Sequence, residues 1–135
     1  MKPILIAVFM GIALLLGVSS CATVTTEPLG EGELRLLKIN IPENGNLRLA
    51  LAYSVEFSFE ANGQPEIDRV ICYCGGEEPY YYKIREVRYG SPGSFTIDFS
   101  AVGTGSERVE CYAIYTRDGR KQRTNPVFSH IYGIS

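Results

Sequence analysis

Residues 47–59 read LRLALAYSVEFSF, a stretch in which large apolar residues alternate with small or polar ones. A period of two sends successive side chains to opposite faces of a β-strand, so we expect one buried face and one wet face. Thirteen residues are long for a single strand, and we therefore expect a bend or bulge within this stretch. The residues expected on the buried face are Leu47, Leu49, Leu51, Tyr53, Val55, Phe57 and Phe59.

The same alternation recurs in six further segments. The parity of the first segment changes between Leu36 and Leu37, which predicts a β-bulge. Residues 67–74 carry apolar groups on both parities, which favours a central strand. Pro126 cannot donate a backbone hydrogen bond, so the last strand is expected at an edge or beyond the proline. The six segments are 33–41, 67–74, 80–89, 94–100, 107–116 and 123–132.

Turn signals separate these segments, and no helical periodicity occurs after the first 20 residues. Asn44-Gly45, Asn62-Gly63 and Asp118-Gly119 are dipeptides that supply the positive φ angles of type I′ turns. Seven short strands in about 100 residues predict an all-β fold, a seven-stranded antiparallel β-sandwich.

Residues 107–128 resemble the last hairpin of immunoglobulin-like and fibronectin type III-like domains. The resemblance rests on an alternating strand with Cys and Tyr, then RDGR at 117–120 and TNPV at 124–127. It covers residues 33–135 and implies a fold that binds proteins, carbohydrates or other domains, with no chemistry attached. The chain has no tryptophan, and Val109 stands where the antibody-type subgroup has a tyrosine, so that subgroup is not expected.

The first 20 residues have the pattern of a signal peptide. Residues 4–18 form an uncharged apolar run behind Lys2, shorter than the roughly 20 residues that a membrane-spanning helix needs. An uncleaved membrane anchor is the alternative. Val18-Ser19-Ser20-Cys21 resembles the lipobox of bacterial lipoproteins.

The lipobox resemblance implies that residues 1–20 are removed and that Cys21 carries diacylglycerol and a further acyl chain such as palmitate. Several acyl chains would anchor the protein stably in a membrane. Ala22, where Asp would retain the protein in the inner membrane, favours the outer membrane, on its periplasmic or surface side. An ordinary buried cysteine is the alternative for Cys21. Residues 21–32 are then expected to form a flexible tether, and residues 33–135 the domain.

Three cysteines remain after lipidation, in a compartment where disulfides persist. Cys72 and Cys74 lie about 6.5–7 Å apart on one strand face, too far for an unstrained bond between them. The third and sixth strands of such a sandwich are neighbours, so Cys111 is expected to pair with Cys72, with Cys74 as the alternative. The remaining thiol is expected to be a buried apolar group or to bond a partner. A zinc site that adds His130 is disfavoured by two ligands on one strand.

Two surface features are candidates for binding, and no catalytic, cofactor or metal site is expected. Tyr80, Tyr81 and Tyr82 stand beside a turn and suit recognition, although the favoured interpretation is that Tyr80 and Tyr82 pack on the core and Tyr81 is solvated. A basic hairpin tip suits anionic lipid, polysaccharide or an acidic partner, or is simply solvated. Its residues are Arg117, Arg120, Lys121 and Arg123.

The net charge of −2 becomes −3 once Lys2 is removed, which argues against a nucleic-acid partner. The sequence therefore predicts a lipid-anchored envelope protein that acts as a binding or accessory module and not as an enzyme. Its expected partners are the membrane, through the lipid, and a protein or polysaccharide that the sequence does not define. The alternative is a structural subunit of an envelope assembly, joined through an edge strand or the spare thiol.

Overall fold

A computed structural model describes residues 27–135, so the predicted signal peptide and Cys21 lie outside the described residues. Within that range the chain forms ten β-strands and one short 3₁₀ turn at Glu43–Gly45. The strands are β1 (Leu34–Asn40), β2 (Asn46–Arg48), β3 (Tyr53–Ala61), β4 (Glu66–Cys74), β5 (Pro79–Lys83), β6 (Arg85–Arg88), β7 (Gly93–Phe99), β8 (Gly105–Arg117), β9 (Arg120–Arg123) and β10 (Val127–Ile134).

The strands build two sheets that face each other, which confirms the predicted all-β sandwich. The four-stranded sheet has the order β1-β3-β7-β6. The six-stranded sheet has the order β2-β10-β8-β4-β5, with β9 also paired to β8. Neighbouring strands are antiparallel except β2 and β10, which run parallel.

The core lies between the sheets and is filled by the apolar side chains that point inward from both. Phe57 of β3 stacks on Phe95 of β7 with 5.0 Å between ring centroids. Burying an aromatic or large aliphatic side chain of this kind stabilises the fold by about 1.5–3 kcal/mol. The side chains with no exposed surface include Val55, Phe57, Phe59, Val70, Phe95, Ile97, Phe99 and Val109.

Three of the seven predicted strands are each divided in two, so the described residues form ten strands instead of the expected seven. Residues 47–59 become β2 in the six-stranded sheet and β3 in the four-stranded sheet. The chain crosses at Ala50, whose φ of 66° lies in the left-handed region, and Leu51 is 49% exposed instead of buried. Likewise 80–89 becomes β5 and β6, and 123–132 becomes β9 and β10.

The turn predictions have mixed outcomes. Asp118-Gly119, with φ of 52° and 75°, joins β8 to β9 in a hairpin as expected. Asn44-Gly45 does not form a hairpin, because β1 and β2 belong to different sheets and the dipeptide lies in the 3₁₀ turn between them. The expected bulge in β1 is confirmed by a register shift between Leu36 and Lys38.

The last predicted strand is interrupted at residues 124–126, and two side chains take over the backbone's hydrogen bonds there. The Thr124 hydroxyl accepts a hydrogen bond from the backbone N–H of Ala113 at 2.9 Å. The Asn125 amide both accepts from Leu36 N (3.0 Å) and donates to Leu36 O (2.9 Å). Since β1 is an edge strand, Asn125 satisfies its free edge and ties the two sheets together.

Residues 27–32, the end of the predicted tether, lie against one end of the sandwich. Gly32 N donates to Asn62 O at 2.9 Å, and the Asn62 side chain donates to Leu29 O at 3.0 Å. The Arg117 Nε donates to Glu31 O at 2.9 Å. These contacts attach the segment to the β3–β4 loop and to the β8–β9 hairpin.

Replacing Asn125 with alanine should lower the free energy of unfolding by about 1–3 kcal/mol, because the backbone N–H and C=O of Leu36 both lose the hydrogen bond to the Asn125 amide. Urea denaturation followed by circular dichroism measures this. Gln122→Ala, at an exposed position of β9, is the matched control and should change stability by no more than about 0.5 kcal/mol. An Asn125→Ala effect as small as the control's would show that this bridge between the sheets contributes nothing.

Candidate binding face

The predicted tyrosine cluster divides between the core and the surface. Tyr80 and Tyr82 are partly buried and pack against the core, as the favoured interpretation expected. The Tyr82 ring lies 5.5 Å from that of Phe99, and burial, aided by Cys74 and Tyr80, raises the pKa of its hydroxyl. Tyr81 is 60% exposed and stands on the outer face of the six-stranded sheet.

The predicted basic hairpin tip does not form one patch. Arg117 is hydrogen-bonded to the Glu31 carbonyl, and Arg120 is exposed. Lys121 forms an ion pair with Asp68 at 2.5 Å. Arg123 lies over an aromatic ring on the same outer face as Tyr81. Alternation along β9 separates Arg120 from Lys121 and Arg123, because neighbouring residues point to opposite sides of the sheet.

Three guanidinium groups stand over aromatic rings on the outer face of the six-stranded sheet. An arginine placed over a ring can keep its outer N–H groups free to bind a carboxylate. Measured from the guanidinium carbon to the ring centroid, the pairs are Arg69–Tyr81 (5.1 Å), Arg108–Phe128 (4.3 Å) and Arg123–Tyr112 (4.5 Å). We call the surface formed by these six residues the Arg–aromatic face.

Strand register assembles this face. Ile71 of β4 pairs with Tyr81 of β5 on one side and with Tyr112 of β8 on the other. Tyr73 stacks on Tyr112 at 6.3 Å, and hydrogen bonding to Tyr112 is the main cause that raises the pKa of Tyr73. Ile71 and Tyr112 point outward, yet they are only 7% and 8% exposed because their neighbours cover them.

Most residues of the face were missed at the level of sequence. Arg69 and Arg108 fall on the wet parity of their strands, where charged residues usually indicate nothing but solvent. The signal that could have found the face is the recurrence of aromatic residues on that same wet parity, Tyr73, Tyr112 and Phe128.

The face is basic although the whole chain has a net charge of −2. On the whole outer face of the six-stranded sheet, in which the Arg–aromatic face lies, register places six basic and two acidic side chains, and Asp68, at the irregularity in β4, joins them through its ion pair with Lys121. Among the described residues, only Lys121 of the six basic groups takes part in a salt bridge. The basic residues are Arg48, Arg69, Lys83, Arg108, Lys121 and Arg123, and the acidic ones are Glu66, Asp68 and Glu110.

A depression of about 340 Å³ opens on the face at residues 124–126, between the end of β9 and the start of β10. Its walls include the rings of Tyr73 and Tyr112, the Arg123 guanidinium and the Glu110 carboxylate. A larger depression, of about 890 Å³, lies at the end of the sandwich beside residues 27–29. Residues 27–29 form part of the wall of this larger depression, and the residues before them are not described. We therefore place the candidate site on the Arg–aromatic face.

The cysteines follow the preferred prediction. Cys72 and Cys111 are directly opposite in register, 4.2 Å apart between Cα atoms, and form a disulfide. The alternative bond between Cys74 and Cys111 is not formed. Closing a loop of this length stabilises the fold by about 4 kcal/mol in the chain-entropy model.

Cys74 is a free, buried thiol. Burial, and secondarily the Glu107 carboxylate, raises its pKa from 9.0 to about 11. Oε1 of Glu107 is buried and has no hydrogen-bond partner among residues 27–135. A thiol in this position is protonated at neutral pH and is out of reach of a partner protein.

Among the described residues there is no group of three or more His, Cys, Asp or Glu side chains placed to hold a metal ion. In that same part of the chain, no helix is long and apolar enough to cross a membrane. No protein-family model and no curated protein matches this sequence. Function must therefore be argued from the site itself.

Alkylation of Cys74 in the native protein should be slow at pH 8 and should accelerate with a midpoint near pH 11. The raised pKa means that the unfolded chain ionises first, near pH 9, so this group's stabilising contribution is present below pH 9 and is lost as the pH rises to 11. Mass spectrometry of iodoacetamide-treated protein measures the rate, with the urea-unfolded chain as control. A native midpoint at or below pH 9 would contradict the assignment.

Proposed function

We propose that this chain is a lipid-anchored protein of a bacterial envelope that binds another envelope component through its Arg–aromatic face. The anchor is supported by the apolar run at 4–18 and by Val18–Cys21, both outside the described residues. The disulfide supports export, since such bonds persist in oxidising compartments. Ala22 supports the outer membrane as the site of the anchor. The proposal includes no catalytic step and no cofactor.

The strand order supports kinship with immunoglobulin-like domains. In the four-stranded sheet, β1-β3-β7-β6 corresponds to the ABED order of such domains, and β10-β8-β4 corresponds to GFC. The Cys72–Cys111 bond differs from the antibody pattern, because it joins two neighbours in one sheet instead of bridging the sheets. We therefore propose the general fold without the antibody-type subgroup.

The observation that carries the binding function is a set of three arginines, each over an aromatic ring and none in a salt bridge with another of residues 27–135. Arginine and tyrosine are among the residues that contribute most to binding energy at protein surfaces. Arginine and tyrosine side chains that are already held in place lose less conformational entropy when a partner binds. A protein and a polysaccharide both fit this general proposal.

A structural subunit of an envelope assembly is the second candidate. It is favoured by the edge strand β5, which within the described residues pairs with β4 on one side only. An unpaired edge can add a strand from another chain. Burial of Cys74 counts against the version of this proposal that uses the spare thiol as the joint.

Replacing Cys21 with serine should move the protein from the membrane fraction to the soluble fraction of cells, because serine cannot accept the thioether-linked lipid. Immunoblotting after cell fractionation measures the distribution. Cys74→Ser is the matched control and should stay with membranes. Membrane association of the Cys21→Ser protein would overturn the anchor.

A benzophenone amino acid at Tyr81 should crosslink a discrete partner in illuminated intact cells, because this side chain is exposed at the β5 edge of the proposed contact. The same group at Ser54, on the outer face of the four-stranded sheet, is the control and should yield no discrete product. Gel mobility and mass spectrometry identify the products. Equal yields at both positions would contradict binding through the Arg–aromatic face.

A further inference from the structure

We infer that the partner bound by the Arg–aromatic face is a protein that presents a cluster of carboxylates. The inference rests on the proposed binding function and specifies its chemistry. Charge complementarity is the first argument: six basic and three acidic groups lie on the outer face of the six-stranded sheet that surrounds these arginines, whereas the chain as a whole has a net charge of −2. An acidic surface would be steered toward this side of the molecule.

The arrangement of the guanidinium groups favours carboxylates in particular. Arg69, Arg108 and Arg123 form no salt bridge with a carboxylate among the described residues. Their rings hold them 4.3–5.1 Å from the ring centroids and so limit the rotamers that they can adopt. A planar guanidinium whose outer edge is free binds a carboxylate through two parallel hydrogen bonds.

The covering of the rings favours a protein over a polysaccharide. A sugar stacks on an open aromatic ring, but the guanidinium of Arg123 occupies one face of the Tyr112 ring, which is only 8% exposed. Arg69 and Arg108 lie over Tyr81 and Phe128, which remain 60% and 47% exposed. A guanidinium thus occupies one side of each of the three rings, which favours a carboxylate-bearing protein over a sugar stacked there.

The size of the face also fits a protein contact. Four strands spaced by about 4.8 Å give a width of about 20 Å, and β8 runs about 27 Å from Arg108 to Thr116. The accessible surface of a plane covered by side chains exceeds the area of the plane. The face is thus on the scale of the roughly 800 Å² that each partner contributes to a standard interface.

The test uses the full-length, lipidated chain in intact cells, with the benzophenone group at Tyr81 and charge reversal at Arg123. Arg123→Glu should reduce the crosslinking yield at least tenfold, because like charges would then oppose each other across the contact. Arg108→Glu should act in the same direction at a second site, and thermal unfolding shows whether each variant is folded. Arg88→Glu, on exposed β6 of the other sheet, is the matched control and should leave the yield unchanged.

Charge exchange then makes the test specific. Sequencing the crosslinked peptide should identify Asp or Glu residues of the partner, and replacing them with arginine should restore crosslinking to the Arg123→Glu chain. A crosslinked glycan or lipid, or a protein whose crosslinking is insensitive to both reversals, would overturn the inference while leaving the binding function intact. No product at Tyr81 above the Ser54 control would instead overturn the proposed function itself.

Discussion

The pairing of β4 with β8 is the interaction on which the rest of the molecule depends. Each of these strands sends one set of side chains into the core and the other set to the outer face. Cys72 and Cys111 point inward and are bonded, while Ile71 and Tyr112, one residue along, pair on the outside. A slip of one residue would exchange core and surface on a strand, and the disulfide opposes that slip. The core and the Arg–aromatic face are therefore fixed by one register.

The alternation in the sequence was sufficient for the all-β class and for the bulge at Leu36. Pro126 left two alternatives for the last strand, an edge position or a start beyond the proline, and the second is found. It did not show where the chain changes sheets. Leu47 and Val55 both point into the same core, although they belong to opposite sheets, so the apolar parity continues through the crossing without a visible break. Only the left-handed backbone at Ala50 marks the crossing, and alanine carries no sequence signal for that conformation.

The candidate site was predictable at two positions. Tyr81 was named among the tyrosines, and Arg123 was named in the hairpin, but nothing in the linear order linked one with the other. They share a face because β5, β4, β8 and β9 are consecutive neighbours in the sheet, and that order depends on contacts distant in the chain. Arg69 and Arg108 could not be distinguished from solvated charges without knowing which ring lies beneath each of them.

The position of Cys74 has a consequence for the order of events during folding in an oxidising medium. The three cysteines among residues 27–135 allow three different single bonds, and only the finished register places Cys72 directly opposite Cys111. Bond formation is guided to that pair only after β4 and β8 have met. A chain that is oxidised earlier can form any of the three bonds, and an incorrect bond has to be reversed by thiol exchange. Once β4 and β8 have paired, the Cys74 thiol is buried and no longer exchanges with the disulfide, so the Cys72–Cys111 bond persists.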